Sequence, residues 1–202
     1  IPVLSTAMKY YSNRSLMMEK DSTYVLSLEP NTKGTIIFNN SLYEKVIATI
    51  DELNKYEYGC VEQTASKVSA LLVKDQIQKQ LKLKTNNSKE IYMMLARLAD
   101  MQNADGSFGW WRKNGSNHRM TVYLMEVSYQ ALKSGYNNNI FNSTSDYIIA
   151  NYSNFSVSDK LYAYNIFLQS STYNASIYST YAKINTEFLN TTDKLYYLQN
   201  KI

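Results

Sequence analysis

Residues 41–53 read SLYEKVIATIDEL, and at this stretch the apolar residues take on the period of an α-helix. They recur every three or four positions along one face, at Leu42, Val46, Ile50 and Leu53. Ser41 and Glu44 have the spacing of a capping box, in which each side chain serves an otherwise unpaired backbone N–H at a helix start. The stretch therefore predicts that a helical region begins at Ser41.

Upstream of this stretch the pattern is typical of β-strands. Residues 22–28, STYVLSL, and residues 35–38, TIIF, are rich in β-branched and aromatic residues. Between them lies EPNTKG, an interval of turn-forming residues. We expect two strands with a hairpin-like connection, within a short β segment that covers residues 1–40.

Downstream of residue 53 the helical period returns twice before residue 102. One helix is expected to open at Glu62 and Gln63 and to bury Val68, Leu71 and Leu72. The next is expected to open at Asn87, which has capping-box spacing to Glu90. Its apolar stripe consists of Ile91, Met94, Leu95, Leu98 and Met101. Both patterns predict amphipathic helices joined by a short polar loop.

Later segments continue the same rhythm. A stripe at Tyr123, Leu124, Val127 and Ala131 predicts a helix that Gly135 closes just past Lys133, as helix ends prefer. Further helices are predicted over residues 145–152, 158–169, 174–183 and 192–202. Seven or eight helices joined by short loops indicate stacked αα-hairpins. The sequence therefore predicts a mainly α fold.

The composition agrees with a packed helical protein and excludes some functions. Hydrophobic residues make up 45% of the 202 residues, enough for a core, and only 6 glycines and 2 prolines leave few tight turns. The 21 basic and 17 acidic residues are scattered, so no basic stripe predicts nucleic-acid binding. The 19 tyrosines are a surplus that we expect along walls and rims. Without a signal-peptide layout or a long apolar run, we expect a piece of a larger chain, with any export signal elsewhere.

The stretch YEYGCVEQ, residues 56–63, holds the single cysteine of the chain. Residues three apart on a helical first turn share a face, so the Cys60 sulfur and the Gln63 carboxamide can meet. If the thiolate attacks the carboxamide and ammonia leaves, an internal thioester closes between them. The alternative is a buried structural thiol, which is the common role of a lone cysteine.

The residues around this pair suit thioester chemistry. Gly59 removes a side chain where the backbone must turn sharply, and a glycine can take dihedrals that are closed to other residues. The helix start presents unpaired N–H groups and a positive dipole end, which favour the thiolate. Glu62 is expected to point away from the bond and to cap or orient the helix start.

The string GCVEQ resembles the thioester signature Gly-Cys-x-Glu-Gln of the alpha-2-macroglobulin and complement superfamily. The following TASK and the segment MQNADGSFGWWRKNGSNHRMTVYLMEVSYQALKSGY are similar to thioester domains of bacterial members. The likeness is clear over residues 41–136 and continues beyond as helical rhythm only. It implies an incomplete α/α toroid of helical hairpins over residues 41–202. It also implies that residues 1–40 end a preceding macroglobulin or CUB-like domain.

The resemblance also implies a function, that of a broad-spectrum protease inhibitor. Cleavage of a bait region elsewhere in such a molecule exposes the thioester, and lysine side chains of the protease are captured covalently. Implied partners are proteases and other domains of the same larger chain, outside the cytoplasm, in the periplasm or at the cell surface. No enzyme activity, cofactor or metal is implied.

Four further residues are compared with the family pattern. A tyrosine four residues before the cysteine shields the bond in bacterial members, and Tyr56 holds that position, with Tyr58 as a second candidate. Glu57 stands where bacterial members usually have proline. His118 lies too close to Cys60 to match the histidine of the animal proteins that acylate hydroxyls, so we expect a loop residue and transfer to amines.

Two other functions compete with the trap. One is an enzyme on the same toroid, terpene-cyclase-like or a polysaccharide lyase, although no Asp-rich motif is visible. The other is a structural helical repeat that binds partners. Trp110 and Trp111, in the loop DGSFGWWRKNG, are expected to be aromatic pegs between helical hairpins rather than contacts of the thioester.

Overall fold

A computed structural model describes residues 23, 25, 27, 30, 33–36, 42–55, 59–172, 174–185, 187 and 189–199. The chain divides into two compact units, residues 1–38 and residues 39–202. In the first unit the described residues form no strand, and the rest of the two predicted strands lies outside the described residues. The second unit is helical throughout its regular structure as described.

Eight α-helices follow one another in the described part of the second unit. They are α1 (Leu42–Asn54), α2 (Val61–Gln80), α3 (Ser88–Met101), α4 (His118–Lys133), α5 (Ile140–Asn151), α6 (Val157–Gln169), α7 (Ala175–Tyr181) and α8 (Thr191–Gln199). A 3₁₀ turn, Tyr152–Asn154, follows α5. The mainly α prediction is confirmed, although α5 begins at Ile140 rather than at Ser145. The predicted cap at Ser41 lies outside the described residues.

The helices pack in two layers. Alternate helices lie side by side, with α2 against α4, α4 against α6 and α6 against α8. The remaining helices cover this row, α1 and α3 on α2, α5 on α4 and α7 on α6. A row of alternate helices backed by their hairpin partners is the layout of an arc of an α/α toroid, as predicted.

Helix ends follow the sequence signals in one case and depart from them in another. At the end of α4, Gly135 has a φ of +91°, and the Tyr136 N–H donates to the Ala131 carbonyl at 2.9 Å, as in a Schellman cap. The predicted capping box at Asn87 is wrong, since its side chain makes no cap bond. Asn87 is buried, and its Nδ2 donates to Gln78 Oε1 of α2 at 2.7 Å, so tertiary packing uses the group that the local motif needed.

Two clusters of buried side chains form the core. The α2–α4 cluster is mostly aliphatic and consists of Val61, Ala65, Val68, Leu71, Leu72, Ile91, Leu95, Leu98, Met101, Phe108, Met120, Leu124, Val127, Ala131, Tyr136 and Ile140. The α5–α8 cluster is rich in aromatics and consists of Val122, Met125, Tyr147, Ile148, Tyr152, Phe155, Leu161, Tyr162, Ala163, Tyr164, Ile166, Phe167, Ile177, Tyr181 and Leu189. Helix α4 contributes to both clusters, so it joins the two halves of the core. Within the described residues, no helix has the length and apolarity needed to cross a membrane.

Candidate functional site

Cys60 is the N-cap of α2, and Gln63 is the third residue of that helix. The Gln63 backbone N–H donates to Cys60 Sγ at 3.4 Å, and the Cys60 backbone N–H donates to Gln63 Oε1 at 3.3 Å. These two bonds are a capping box in which the thiol and the carboxamide take the places usually held by Ser and Glu. The structure therefore brings the predicted pair into one helical turn.

The two partners differ in exposure. Cys60 is buried, at 8% relative exposure, whereas Gln63 is exposed. The first turn is held from below by Val61 and Ala65, both fully buried in the α2–α4 cluster. Thr64, also buried, donates its hydroxyl to the Cys60 carbonyl at 2.9 Å. Cys60 is thus buried above the α2–α4 cluster, while Gln63 lies at the surface.

Gly59 provides room for a cation. Arg97, on α3, donates from Nη2 to the Gly59 carbonyl oxygen at 3.2 Å. A Cβ at Gly59 would lie 2.7 Å from that nitrogen and 2.9 Å from Cζ. Real Cβ atoms do not approach so closely, so a side chain here would displace the guanidinium. Gly59 does not have a positive φ, so the prediction that it takes dihedrals closed to other residues is wrong, and the close approach of Arg97 is what requires a glycine here.

The loop between α3 and α4 closes over the start of α2 through its backbone. The Trp110 carbonyl accepts the Val61 N–H at 3.1 Å, which satisfies one of the unpaired donors at the helix start. The loop is fixed by Phe108, which is fully buried and whose N–H donates to Thr121 Oγ1 at 3.0 Å. Gly106 has a φ of +87° and lies against Ser143 so closely that a Cβ would be 2.2 Å from its carbonyl oxygen.

Two predictions about side chains near this loop are wrong. Trp110 and Trp111 are 48% and 57% exposed, so they are not pegs between hairpins; Phe108 takes that role. His118 is not a loop residue. It begins α4 and stacks on Phe155 with ring centroids 4.0 Å apart. In this loop Phe108 is the aromatic side chain that is buried, and the two tryptophans that follow it are exposed.

The remaining predicted site residues divide into described and undescribed ones. Glu62 is exposed in the first turn of α2, where a carboxylate suits the positive end of the helix dipole. The side-chain cap is made by Cys60 and Gln63 rather than by Glu62. Tyr56, Glu57 and Tyr58 lie outside the described residues. No cluster of three or more His, Cys, Asp or Glu side chains suited to a metal occurs in the part of the chain that the structure describes.

Two curated bacterial proteins match about half of the chain. The alpha-2-macroglobulin of Thermotoga maritima is 34% identical over 102 residues, which cover 50% of this chain and 6% of that protein. The alpha-2-macroglobulin of Escherichia coli is 31% identical over 110 residues, which cover 52% of this chain and 7% of that protein. The chain is similar to part of bacterial alpha-2-macroglobulins. It spans less than a tenth of the length of these two relatives.

Solved alpha-2-macroglobulin structures share the fold. The cryo-EM reconstruction of native E. coli alpha-2-macroglobulin superposes with a TM-score of 0.56 at 24% identity, covering 67% of this chain and 10% of that one. The crystal structure of a native E. coli fragment that runs to the C-terminus gives 0.53 at 23% identity, covering 68% and 26%. No family model matches the chain.

Two contacts at the helix start could not be predicted from the sequence. Arg97 is 38 residues from Gly59 and stands on the polar side of the α3 stripe, where arginine is unremarkable. The Trp110 contact is made by a backbone carbonyl, and because every residue has one, the residue type does not predict it. A hint was available in the glycine itself, since a glycine before a helix also signals close approach by another group.

Proposed function

We propose that residues 41–202 are a thioester domain in which Cys60 Sγ and the Gln63 acyl carbon form an internal thioester. In ring closure the Cys60 thiol loses its proton, the sulfur bonds to the Gln63 acyl carbon, and the carboxamide nitrogen leaves as ammonia. In capture an amine attacks the same carbon, the carbon–sulfur bond breaks, and the products are an amide at Gln63 and a free Cys60 thiol.

The observation that carries this proposal is the reciprocal cap. The Cys60 N–H donates to the Gln63 carboxamide oxygen at 3.3 Å, and the Gln63 backbone N–H donates to the Cys60 sulfur at 3.4 Å, so both side chains are held at one helical turn before reaction. The helix start favours a thiolate there, because its N–H groups and dipole stabilise negative charge. Burial of the sulfur limits access of water to the bond from that side.

The full protein would then be a broad-spectrum protease inhibitor of the alpha-2-macroglobulin type. Proteases would be captured through lysine side chains, and the bond would be consumed once, so the protein would be a trap rather than an enzyme. Residues 1–40 would end a preceding macroglobulin or CUB-like domain. A protein of this type would work outside the cytoplasm, in the periplasm or at the cell surface, with any membrane anchor in another part of the chain.

Incorporation of a labelled primary amine tests this function. A biotinylated alkylamine incubated with the protein should become covalently attached, and peptide mass spectrometry should find it at Gln63. Cys60→Ala should reduce incorporation to background, because no thioester can form. Tyr56→Ala should increase spontaneous hydrolysis if the tyrosine shields the bond.

A matched substitution controls for general damage to α2. Gln63→Asn shortens the acyl donor by one methylene and should abolish labelling, whereas Gln76→Asn, at an exposed position of the same helix, should not change it. Labelling that persists in Cys60→Ala would refute the thioester. In that case a structural helical repeat would be the better description of the domain.

A further inference from the structure

We propose that the peptide unit between Gly59 and Cys60 is an oxyanion donor for the thioester, and that Arg97 is the positioning residue that polarises it. This inference rests on the proposed function. It assigns to the start of α2 the group that stabilises negative charge when an amine attacks Gln63, and it assigns to α3 a cation that acts through that group.

The donor is the Cys60 backbone N–H. It lies 3.3 Å from Gln63 Oε1, the oxygen that remains on the acyl carbon in the thioester. When an amine adds to that carbon, this oxygen becomes the oxyanion of the tetrahedral intermediate. A backbone N–H already placed on it needs no reorganisation as the charge develops.

The polarising group lies at the other end of the same peptide. Arg97 Nη2 donates to the Gly59 carbonyl oxygen at 3.2 Å, and this carbonyl is conjugated with the Cys60 N–H. A charged donor on the carbonyl draws electron density from the nitrogen, which makes its N–H a stronger donor. Arg97, the peptide and Gln63 thus form one hydrogen-bonded chain that ends on the reacting oxygen.

Three features favour this role over incidental surface contact. None of the ion pairs between described residues includes Arg97, so no carboxylate of that part of the chain neutralises its charge. Gly59 makes room for the guanidinium, which a Cβ would meet at 2.7 Å. The next peptide, between Cys60 and Val61, is also fixed, because the Cys60 carbonyl accepts the Thr64 hydroxyl and N–H at 2.9 and 3.0 Å.

The balanced step places each group. An amine nitrogen bonds to the Gln63 acyl carbon, and the carbonyl electron pair moves to Oε1, where the Cys60 N–H stabilises it. Collapse re-forms the carbonyl and breaks the bond to Cys60 Sγ, which leaves as thiolate. The proton lost by the amine passes to solvent buffer or to the thiolate, so the sum is amine plus thioester giving amide plus thiol.

The test is the rate of methylamine reaction in the protein with its flanking domains. Arg97→Met should lower the second-order rate constant for thiol release by about threefold to tenfold, less than the hundredfold or so that loss of a direct oxyanion donor costs. Arg119→Met removes the same charge from an exposed arginine of α4 that pairs with Asp159 of α6, and it should react like the unmodified protein. Equal rates in both variants would overturn the proposal.

A spectroscopic readout separates polarisation from a structural role. With isotope-labelled glutamine, the infrared carbonyl band of the thioester should move to higher frequency in Arg97→Met, because its hydrogen bond weakens. An unmoved band would contradict the proposal even if the rate fell.

Gly59→Ala provides an independent route if Arg97→Met does not fold. The three atoms nearest the new Cβ are two at the far end of the Arg97 side chain and the Thr64 hydroxyl oxygen, so the guanidinium should move away and the rate should fall to a similar extent. The double variant should be no slower than either single variant, since both remove one contact. Additive losses would count against the proposal. Absence of methylamine uptake in the unmodified protein would instead refute the thioester itself.

Discussion

The two clusters of the core are built from different residues and support different parts of the molecule. The α2–α4 cluster is mostly aliphatic, and its side chains form the floor beneath Cys60 and Gln63. The α5–α8 cluster is aromatic, with tyrosine rings stacked on one another, as in Tyr164 and Tyr181 at 3.9 Å between centroids. The comparison indicates that the first cluster supports the candidate site at Cys60 and Gln63, while the second contributes only packing.

This difference accounts for the tyrosine surplus. Buried tyrosine hydroxyls donate hydrogen bonds to backbone carbonyls, for example Tyr152 to Lys160 at 2.7 Å and Tyr181 to Tyr197 at 3.3 Å. The apolar ring packs in the core, and the hydroxyl finds a hydrogen-bond acceptor, so neither part of the buried side chain is unfavourable. Among the described residues, the tyrosines therefore serve mainly the packing of the second half.

The largest expected effect comes from Phe108→Ala. Phe108 is fully buried in the α2–α4 cluster, and its loss should reduce the free energy of unfolding by about 3–5 kcal/mol. Since the same loop brings the Trp110 carbonyl to Val61, amine reaction should change as well. Chemical denaturation measures the first effect, and the methylamine rate measures the second. A destabilised protein with an unaltered rate would contradict the claim that this cluster supports the site.

Leu161→Ala makes the matching change in the α5–α8 cluster. Leu161 is fully buried in α6, and we expect a loss of about 2–5 kcal/mol from the cavity and the missing contacts. The methylamine rate of the folded protein should stay within about twofold of the original, because α6 supplies no group to the start of α2. A fall in the methylamine rate comparable to that of Phe108→Ala would show that the α5–α8 cluster also supports the site.

The sequence predicted the helices well where local signals agreed with packing. Apolar stripes located α2, α3 and α4, and Gly135 marked the end of α4 as expected. Asn87 shows why local motifs fail, since its capping spacing was overridden by a bond to Gln78 across the helix pair. Whether a side chain serves its own helix or a neighbour depends on tertiary packing.

The candidate site divides in the same way. Spacing alone predicted that Cys60 and Gln63 share a helical turn, because three residues on a first turn face one side. Arg97 could not be predicted, since its approach to Gly59 requires α3 to pack on α2. The prediction that Trp110 and Trp111 are buried was wrong, because it relied on their size, whereas the loop buries Phe108.

A smaller effect is expected from Thr121→Val in α4. This buried hydroxyl accepts the Phe108 N–H, so valine would leave a buried donor unpaired and cost about 1–3 kcal/mol. Thr144→Val is the matched control in α5, where the buried hydroxyl donates to the Ile140 and Phe141 carbonyls of its own helix. Thermal unfolding should show the smaller change for Thr144→Val, and the reverse order would contradict the role given to Thr121.

The smallest effect concerns two tyrosines of the second cluster at alkaline pH. Burial raises the pKa of Tyr152, and burial together with nearby tyrosines raises the pKa of Tyr181 to about 12. In the unfolded chain these phenols ionise at about pH 10. The stability that Tyr181 provides by keeping its proton is therefore complete below about pH 10 and is lost as pH rises towards about 12.

Unfolding curves across this pH range test the assignment. Tyr181→Phe should weaken the decline in stability, whereas Tyr92→Phe, at an exposed position on α3, should leave it unchanged. An equal decline in both variants would mean that the aromatic cluster is not the source of the alkaline sensitivity.

The intact mass of freshly prepared protein, with its flanking domains and under non-reducing, amine-free conditions, tests the central claim most directly. A closed thioester predicts a chain lighter than its sequence by one ammonia, and methylamine should then add its whole mass and expose the Cys60 thiol. A full, unmodified mass together with a freely alkylated Cys60 would contradict the account.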